Sequence, residues 1–208
     1  MKRPSIGFLF LGQAHSEYLD VSFCLSKHGF ESYLIDLNNS GHIKWDEYSL
    51  INVRECRGYH LDPEFLHNVE VLENRLGNTP ITNSLAIIRA AIDKGKYLKE
   101  LEQEGVDTIP TFWLKRGATA TLEDIIRETG WNDLVVKPTI SFKCWNTYRV
   151  VKRANGMAII RAENQLPPVL KSVVFEHHHA FSELLKSNDI CCQKFMPEIL
   201  ASFIEPQK

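Results

Sequence analysis

The chain has 208 residues, enough to bury the core of one large domain or of two small ones. An apolar fraction of 44% and a charged fraction of 24% are those of a soluble globular protein, and a formal net charge of −2 gives no electrostatic reason to expect nucleic acid or an anionic membrane as partner. No apolar run reaches the ~18 residues that a membrane crossing needs. Cys24, Cys56, Cys144, Cys191 and Cys192 are odd in number and scattered, which argues against a disulfide framework and for a reduced, cytoplasmic protein.

Lys2 and Arg3 precede Ile6–Leu11 as in a secretory leader, but the run is short and no small-residue cleavage site follows before His15, Glu17 and Asp20. Residues 5–11 therefore read as a buried first strand. A helix over 16–28 carries Leu19, Phe23 and Leu25, with Gly29 placed to end it. Strands follow at 32–37 and 50–53. Asp62-Pro63-Glu64 then reads as a helix start, with Asp62 at the cap and Phe65, Val69, Leu72 and Leu76 at helical spacing before Gly77. This alternation predicts a parallel, doubly wound sheet.

The polar stretch 78–84, with Pro80, marks a domain boundary. Beyond it the pattern predicts one long helix over 85–104 with Gly95 as a weak point, a strand at 108–114, a helix from Thr121 to Thr129 and a strand at 132–137. Residues 147–152 and 157–161 read as paired strands turned by Ala154-Asn155-Gly156, and 190–196 as the last strand.

Several signatures are absent. Gly95-Lys96 lacks the rest of a P-loop, and no GxGxxG, GxSxG, HExxH or CxxC occurs. His177-His178-His179 cannot converge on one ion from a regular element and reads as a solvated run. Cys191-Cys192 alternates within an apolar strand, so at least one of the pair belongs to the core. Lys137 follows Val135 and Val136, read as buried, and Pro138 keeps it extended; a charge in that position calls for an anion. Lys94 and Lys96, taken alone, read as solvated helix charges. Two lysines from separate elements aimed at one point would suit a triphosphate.

The order of pieces, Asp93-Lys94-Gly95-Lys96-Tyr97-Leu98, then Val135-Val136-Lys137-Pro138, then Gln193-Lys194-Phe195-Met196-Pro197-Glu198, resembles the ATP-grasp superfamily. More narrowly it is similar to the glutathione-synthetase-like and ribosomal-protein-modifying carboxylate–amine ligases, over residues 80–200. The resemblance implies an α/β fold: an N-terminal parallel-sheet domain over 1–80, then the first ATP-grasp lobe and hinge strand over 81–208, with the second lobe missing. It implies ATP held between two lobes, with Lys137 and either Lys94 or Lys96 on its phosphates. Gln193, Lys194, Phe195 and Met196 would offer backbone groups to adenine, Phe195 or Met196 would pack near the ring, and Glu198 would take the ribose hydroxyls.

Mg²⁺ is expected from the family, its ligands lying beyond the hinge, where only Ala201–Lys208 remain. The stretch Thr139–Thr147 departs from the family's small-residue loop in holding no glycine, although Ser141, Asn146 and Thr147 remain as donors. The activity implied is acyl-phosphate formation from a carboxylate, followed by attack of an amine. An amino acid or peptide is the implied substrate, and a second polypeptide carrying the other lobe an implied partner. Substrate groups in such enzymes come partly from the first domain, where Arg54, Arg57 and His60 sit in a polar stretch after a strand, but these three read as surface charges. The alternative from another class is a noncatalytic nucleotide- or partner-binding fragment.

Overall fold

A computed structural model describes residues 3–12, 17–154, 156–161 and 177–197. The chain divides into two compact units, Met1–Ile92 and Asp93–Lys208.

The first unit contains β1 (Ser5–Phe10), α1 (Glu17–Lys27), β2 (Glu31–Asp36), β3 (Leu50–Glu55), α2 (Phe65–Arg75), β4 (Ile81–Thr82) and α3 (Leu85–Ile92). Its four strands form one parallel sheet in the order β2-β1-β3-β4, as the alternating pattern predicts. Leu9, Ile35 and Ile51 from the strands meet Phe65, Val69 and Leu72 of α2 and Leu85 and Ile88 of α3 in its core. The start of α2 differs from expectation. The helix begins at Phe65, and Asp62 makes a turn ahead of it, its Oδ1 accepting from the Glu64 N–H at 2.9 Å. Gly29, at φ 83°, ends α1 as expected, but no residue of that helix is buried, and Leu19 and Phe23 lie 68% and 60% exposed.

The second unit contains α4 (Lys94–Gln103), β5 (Thr111–Leu114), α5 (Leu122–Thr129), β6 (Asp133–Pro138), β7 (Tyr148–Arg153), β8 (Gly156–Arg161), α6 (His177–Ser187) and β9 (Ile190–Lys194). Its sheet runs β5-β9-β6-β7-β8 and is antiparallel throughout. One face is closed by Leu122, Ile125 and Ile126 of α5 and Phe181, Leu184 and Leu185 of α6. A capping box between Thr121 and Asp124 starts α5, holding the Asp124 carboxyl down at about 2, and Gly130 at φ 71° ends it.

The single helix expected over 85–104 is two. Asp93 is extended (φ −101°, ψ 100°), forms an antiparallel bridge with Ile140, and caps α4 by accepting from the Gly95 N–H. A side chain that favours caps, two residues before a poor helix former, outweighs the apolar periodicity. His177–His179 open α6; His179 is exposed, 4.0 Å from Glu183. Among the described residues no group of three His, Cys, Asp or Glu side chains could hold a metal, and no helix is long and apolar enough to cross a membrane.

The first sheet leaves no room at one position. A Cβ on Gly7 of β1 would stand 2.7 Å from Cδ1 of both Ile35 and Ile51, which are themselves buried. Overpacking of that kind costs about 1–3 kcal/mol, more than the up to ~1 kcal/mol that lost chain entropy returns. Gly7→Ala is therefore expected to lower the melting temperature, measured by circular dichroism, with the sheet retained.

Candidate functional site

The second unit's sheet has two faces because side chains alternate along each strand. Leu134, Val136 and Pro138 of β6 are buried in the core, whereas Val135 and Lys137 are half-buried on the opposite face. The expectation of two buried valines ahead of Lys137 is corrected accordingly, since Val136 is core and Val135 shares the lysine's face. That open face is ordered in rows by the strand register. Trp113, Cys191 and Lys137 form one row across β5, β9 and β6. Thr111, Gln193, Val135 and Arg149 form the next, and Phe195 continues beyond, its N–H bonded to Asp133 O at 3.0 Å.

Cations gather at the first row. Lys94, the first residue of α4, donates from Nζ to Ser141 Oγ at 3.0 Å, Ser141 O at 3.1 Å and Thr139 O at 3.4 Å. Its backbone N–H also bonds Thr139 O at 2.9 Å. Burial, and then the charge of Lys137, lower the Lys94 pKa. The Lys137 carbonyl accepts from Cys191 Sγ at 3.5 Å, but its ammonium makes no hydrogen bond or ion pair among the described residues. Of the two lysines left open by the sequence, Lys94 is brought beside Lys137; Lys96 is exposed and lines a hollow with Lys99, Trp113 and Asp189. Both cysteines of the pair are fully buried, Cys192 in the core and Cys191 on the open face. Burial raises the Cys191 thiol pKa against the charges of Lys137 and Lys94, so it is not poised as a thiolate.

The far end of β9 and the residues after it hold Gln193, Lys194, Phe195 and Met196, the four expected to meet adenine. Lys194 is exposed, and its N–H is spent on Pro110 O at 2.9 Å. The Phe195 N–H is also spent, whereas the Met196 N–H bonds nothing among the described residues. Phe195 is covered on one side by Arg149, whose Cζ lies 3.5 Å from the ring centroid. Arg149 is itself fixed by a two-pronged contact with Asp133, Nε to Oδ1 at 2.8 Å and Nη2 to Oδ2 at 2.5 Å. Gln193 is buried and donates from Nε2 to Thr111 Oγ1 at 3.1 Å. Glu198 lies outside the described residues. Arg149, Asp133 and Thr111 escape a sequence reading because cross-strand register places them; only the alternation Asp133-Val135-Lys137 hints at a polar face.

The segment after β6 shows how a loop without glycine is built. Lys143, Cys144 and Asn146 take positive φ of 48°, 59° and 50°, a conformation that Asn tolerates and that costs Lys143 and Cys144 about 1 kcal/mol or more each. Two turns close on themselves, Trp145 N to Phe142 O at 2.9 Å and Thr147 N to Cys144 O at 3.0 Å. In the first unit, Arg54 and Arg57 both face Glu17, at 3.8 and 2.5 Å.

The lowered Lys94 pKa has a definite sign. Between its folded value and the ordinary 10.5 the unfolded chain binds more protons, so stability rises with pH across that window and is lost as pH falls through the folded value. The stability of the protein relative to Lys94→Met, measured by urea unfolding, is expected to grow as the pH is raised toward the ordinary lysine value of 10.5.

No family model matches the sequence, and no curated protein matches it. Solved structures do. D-cycloserine synthetase superposes with TM-score 0.68 at 18% identity, over 94% of this chain and 60% of that one. D-alanine–D-alanine ligase from Bacillus anthracis, complexed with ATP, gives TM-score 0.56 at 15% identity, over 94% and 58%. An ATP-grasp RimK domain protein from Sphaerobacter thermophilus gives 0.56 at 15%, over 92% and 64%. The chain spans about 60% of the length of such structures. Its two sheets, parallel and then antiparallel, have the fold of the N-terminal region and first lobe of the ATP-grasp ligases.

Proposed function

We propose that the open face of the second unit binds the nucleotide of an ATP-dependent carboxylate–amine ligase, with phosphates at Lys137 and Lys94 and the base toward Gln193, Phe195 and Met196. The observation that carries this is Lys137, a half-buried ammonium with no acceptor among the described residues, next to a second lysine whose charge is already disfavoured. Two cations sharing a partly dry neighbourhood repel, and a polyphosphate relieves both at once. The rows set the scale. From Lys137 to the Phe195 row is about four residues along β9, ~13 Å, a span that suits a nucleotide lying along the strand.

In the proposed reaction a carboxylate oxygen attacks the γ-phosphorus and ADP departs. An amine then adds to the acyl carbon and phosphate leaves. The part proposed for this lobe is to hold and neutralise phosphate and to orient the base. Carboxylate and amine are proposed by class only, an amino acid or peptide for each.

Titration calorimetry with ATP is expected to give binding to the 208-residue chain. Lys137→Ala should weaken it at least about tenfold, the worth of one charged hydrogen bond, while Lys96→Ala should change it by no more than about twofold. No ATP binding by the unaltered chain, or equal losses in both variants, would sink the proposal. ADP release with Mg²⁺ and a panel of amino acids separates a ligase from a lobe that only binds.

A further inference from the structure

We infer that Thr111 is a specificity-determining residue that sets the orientation of the Gln193 amide, and thereby makes the site select a 6-amino purine over a 6-oxo purine. The inference rests on the nucleotide reading above and concerns which base that site accepts.

A glutamine amide offers two donors on one end and an acceptor on the other, so by itself it does not choose between an amino and an oxo group. Its rotation has to be fixed from outside. The Thr111 hydroxyl donates its one proton to Ile109 O at 2.7 Å. Oγ1 can then only accept, and what faces it on the next strand is the end of Gln193 that donates, Nε2 at 3.1 Å. The opposite cross-strand neighbour of Gln193 is Val135, which has no polar side-chain atom to compete. The relay from Gln193 to Thr111 to the Ile109 carbonyl therefore leaves Oε1 as the free end. No donor among the described residues meets it.

Gln193 is only 7% exposed, so water offers little alternative partnering, and reversing the amide would put two acceptors against each other at Thr111. An acceptor held there matches the 6-amino group of adenine and repels the 6-carbonyl of hypoxanthine or guanine. A site built to hydrogen-bond one group discriminates by leaving a buried partner unsatisfied when that group is replaced.

The test is the ratio of ATP to inosine triphosphate affinity, measured by calorimetry on the full chain. The Met196 N–H is common to every variant, so changes in the ratio report on position 193. The unaltered protein is expected to favour ATP. Thr111→Val, which keeps the shape and loses the hydroxyl, should cut that preference about five- to tenfold, with inosine triphosphate gaining as well as ATP losing. Adding Gln193→Glu to that variant should restore the preference, since a carboxylate only accepts. Should Thr111→Val fold poorly, Gln193→Met reads the same quantity and is expected to lose the preference. An unchanged ratio in either variant, with ATP binding intact, overturns the inference and leaves the nucleotide site standing. Absence of binding by either nucleotide to the unaltered chain removes the site itself, a different failure.

Discussion

The two-residue period of the antiparallel sheet is the constraint on which the rest of the second unit depends. Leu134, Val136 and Pro138 must face α5 and α6 to close a core. The residues between them, Asp133, Val135 and Lys137, are then committed to the other side. A slip of one position would turn Lys137 onto the apolar core face, where an ammonium finds no acceptor. The hydrophobic demand of one face therefore positions the charge of the other. The same period along β9 and the residue after it sets Cys191, Gln193 and Phe195 in line, so that thiol, amide and aromatic ring follow one another, with Lys137 beside the thiol on β6.

Much of this architecture is legible in the chain. The apolar runs of β1, β3 and β6, and the caps at Gly29 and Thr121, declare themselves through local chemistry. Lys137 stands out because it interrupts such a run. The split at Asp93 is less visible, since Leu85–Gln103 keeps helical periodicity and only capping energetics break it. That one residue also determines which of Lys94 and Lys96 comes beside Lys137. Once α4 begins at Lys94, that side chain reaches Thr139 and Ser141, while Lys96 turns to solvent. Thr111 and Arg149 have no local signal. Each owes its role to a partner far away in sequence, Gln193 or Asp133 and Phe195, which only strand pairing supplies. The exposed Leu19 and Phe23 of α1 mark the opposite failure, apolar spacing without burial.

Similarity to solved ligases at 15–18% identity preserves an arrangement of elements more than a set of side chains. The segment after Lys137 illustrates the distinction. Where small residues would allow free backbone movement, this chain uses Lys143, Cys144 and Asn146 in left-handed geometry, and turns bonded to themselves. Its backbone is held by those turns together with the bonds of Thr139 and Ser141 to Lys94.

The pinning of Asp93 has a consequence for how rigidly the site is built. Asp93 bridges Ile140, and Lys94 is tied to Thr139 through its backbone and to Ser141 through its side chain. Ile140 and Ser141 in turn follow Lys137 by three and four residues along the chain. The two lysines are thus stitched into one short circuit of covalent and hydrogen bonds, closed entirely within Asp93–Lys208. Their separation is an internal dimension of that unit, fixed before any partner arrives, like the gap of a gauge cut from a single block.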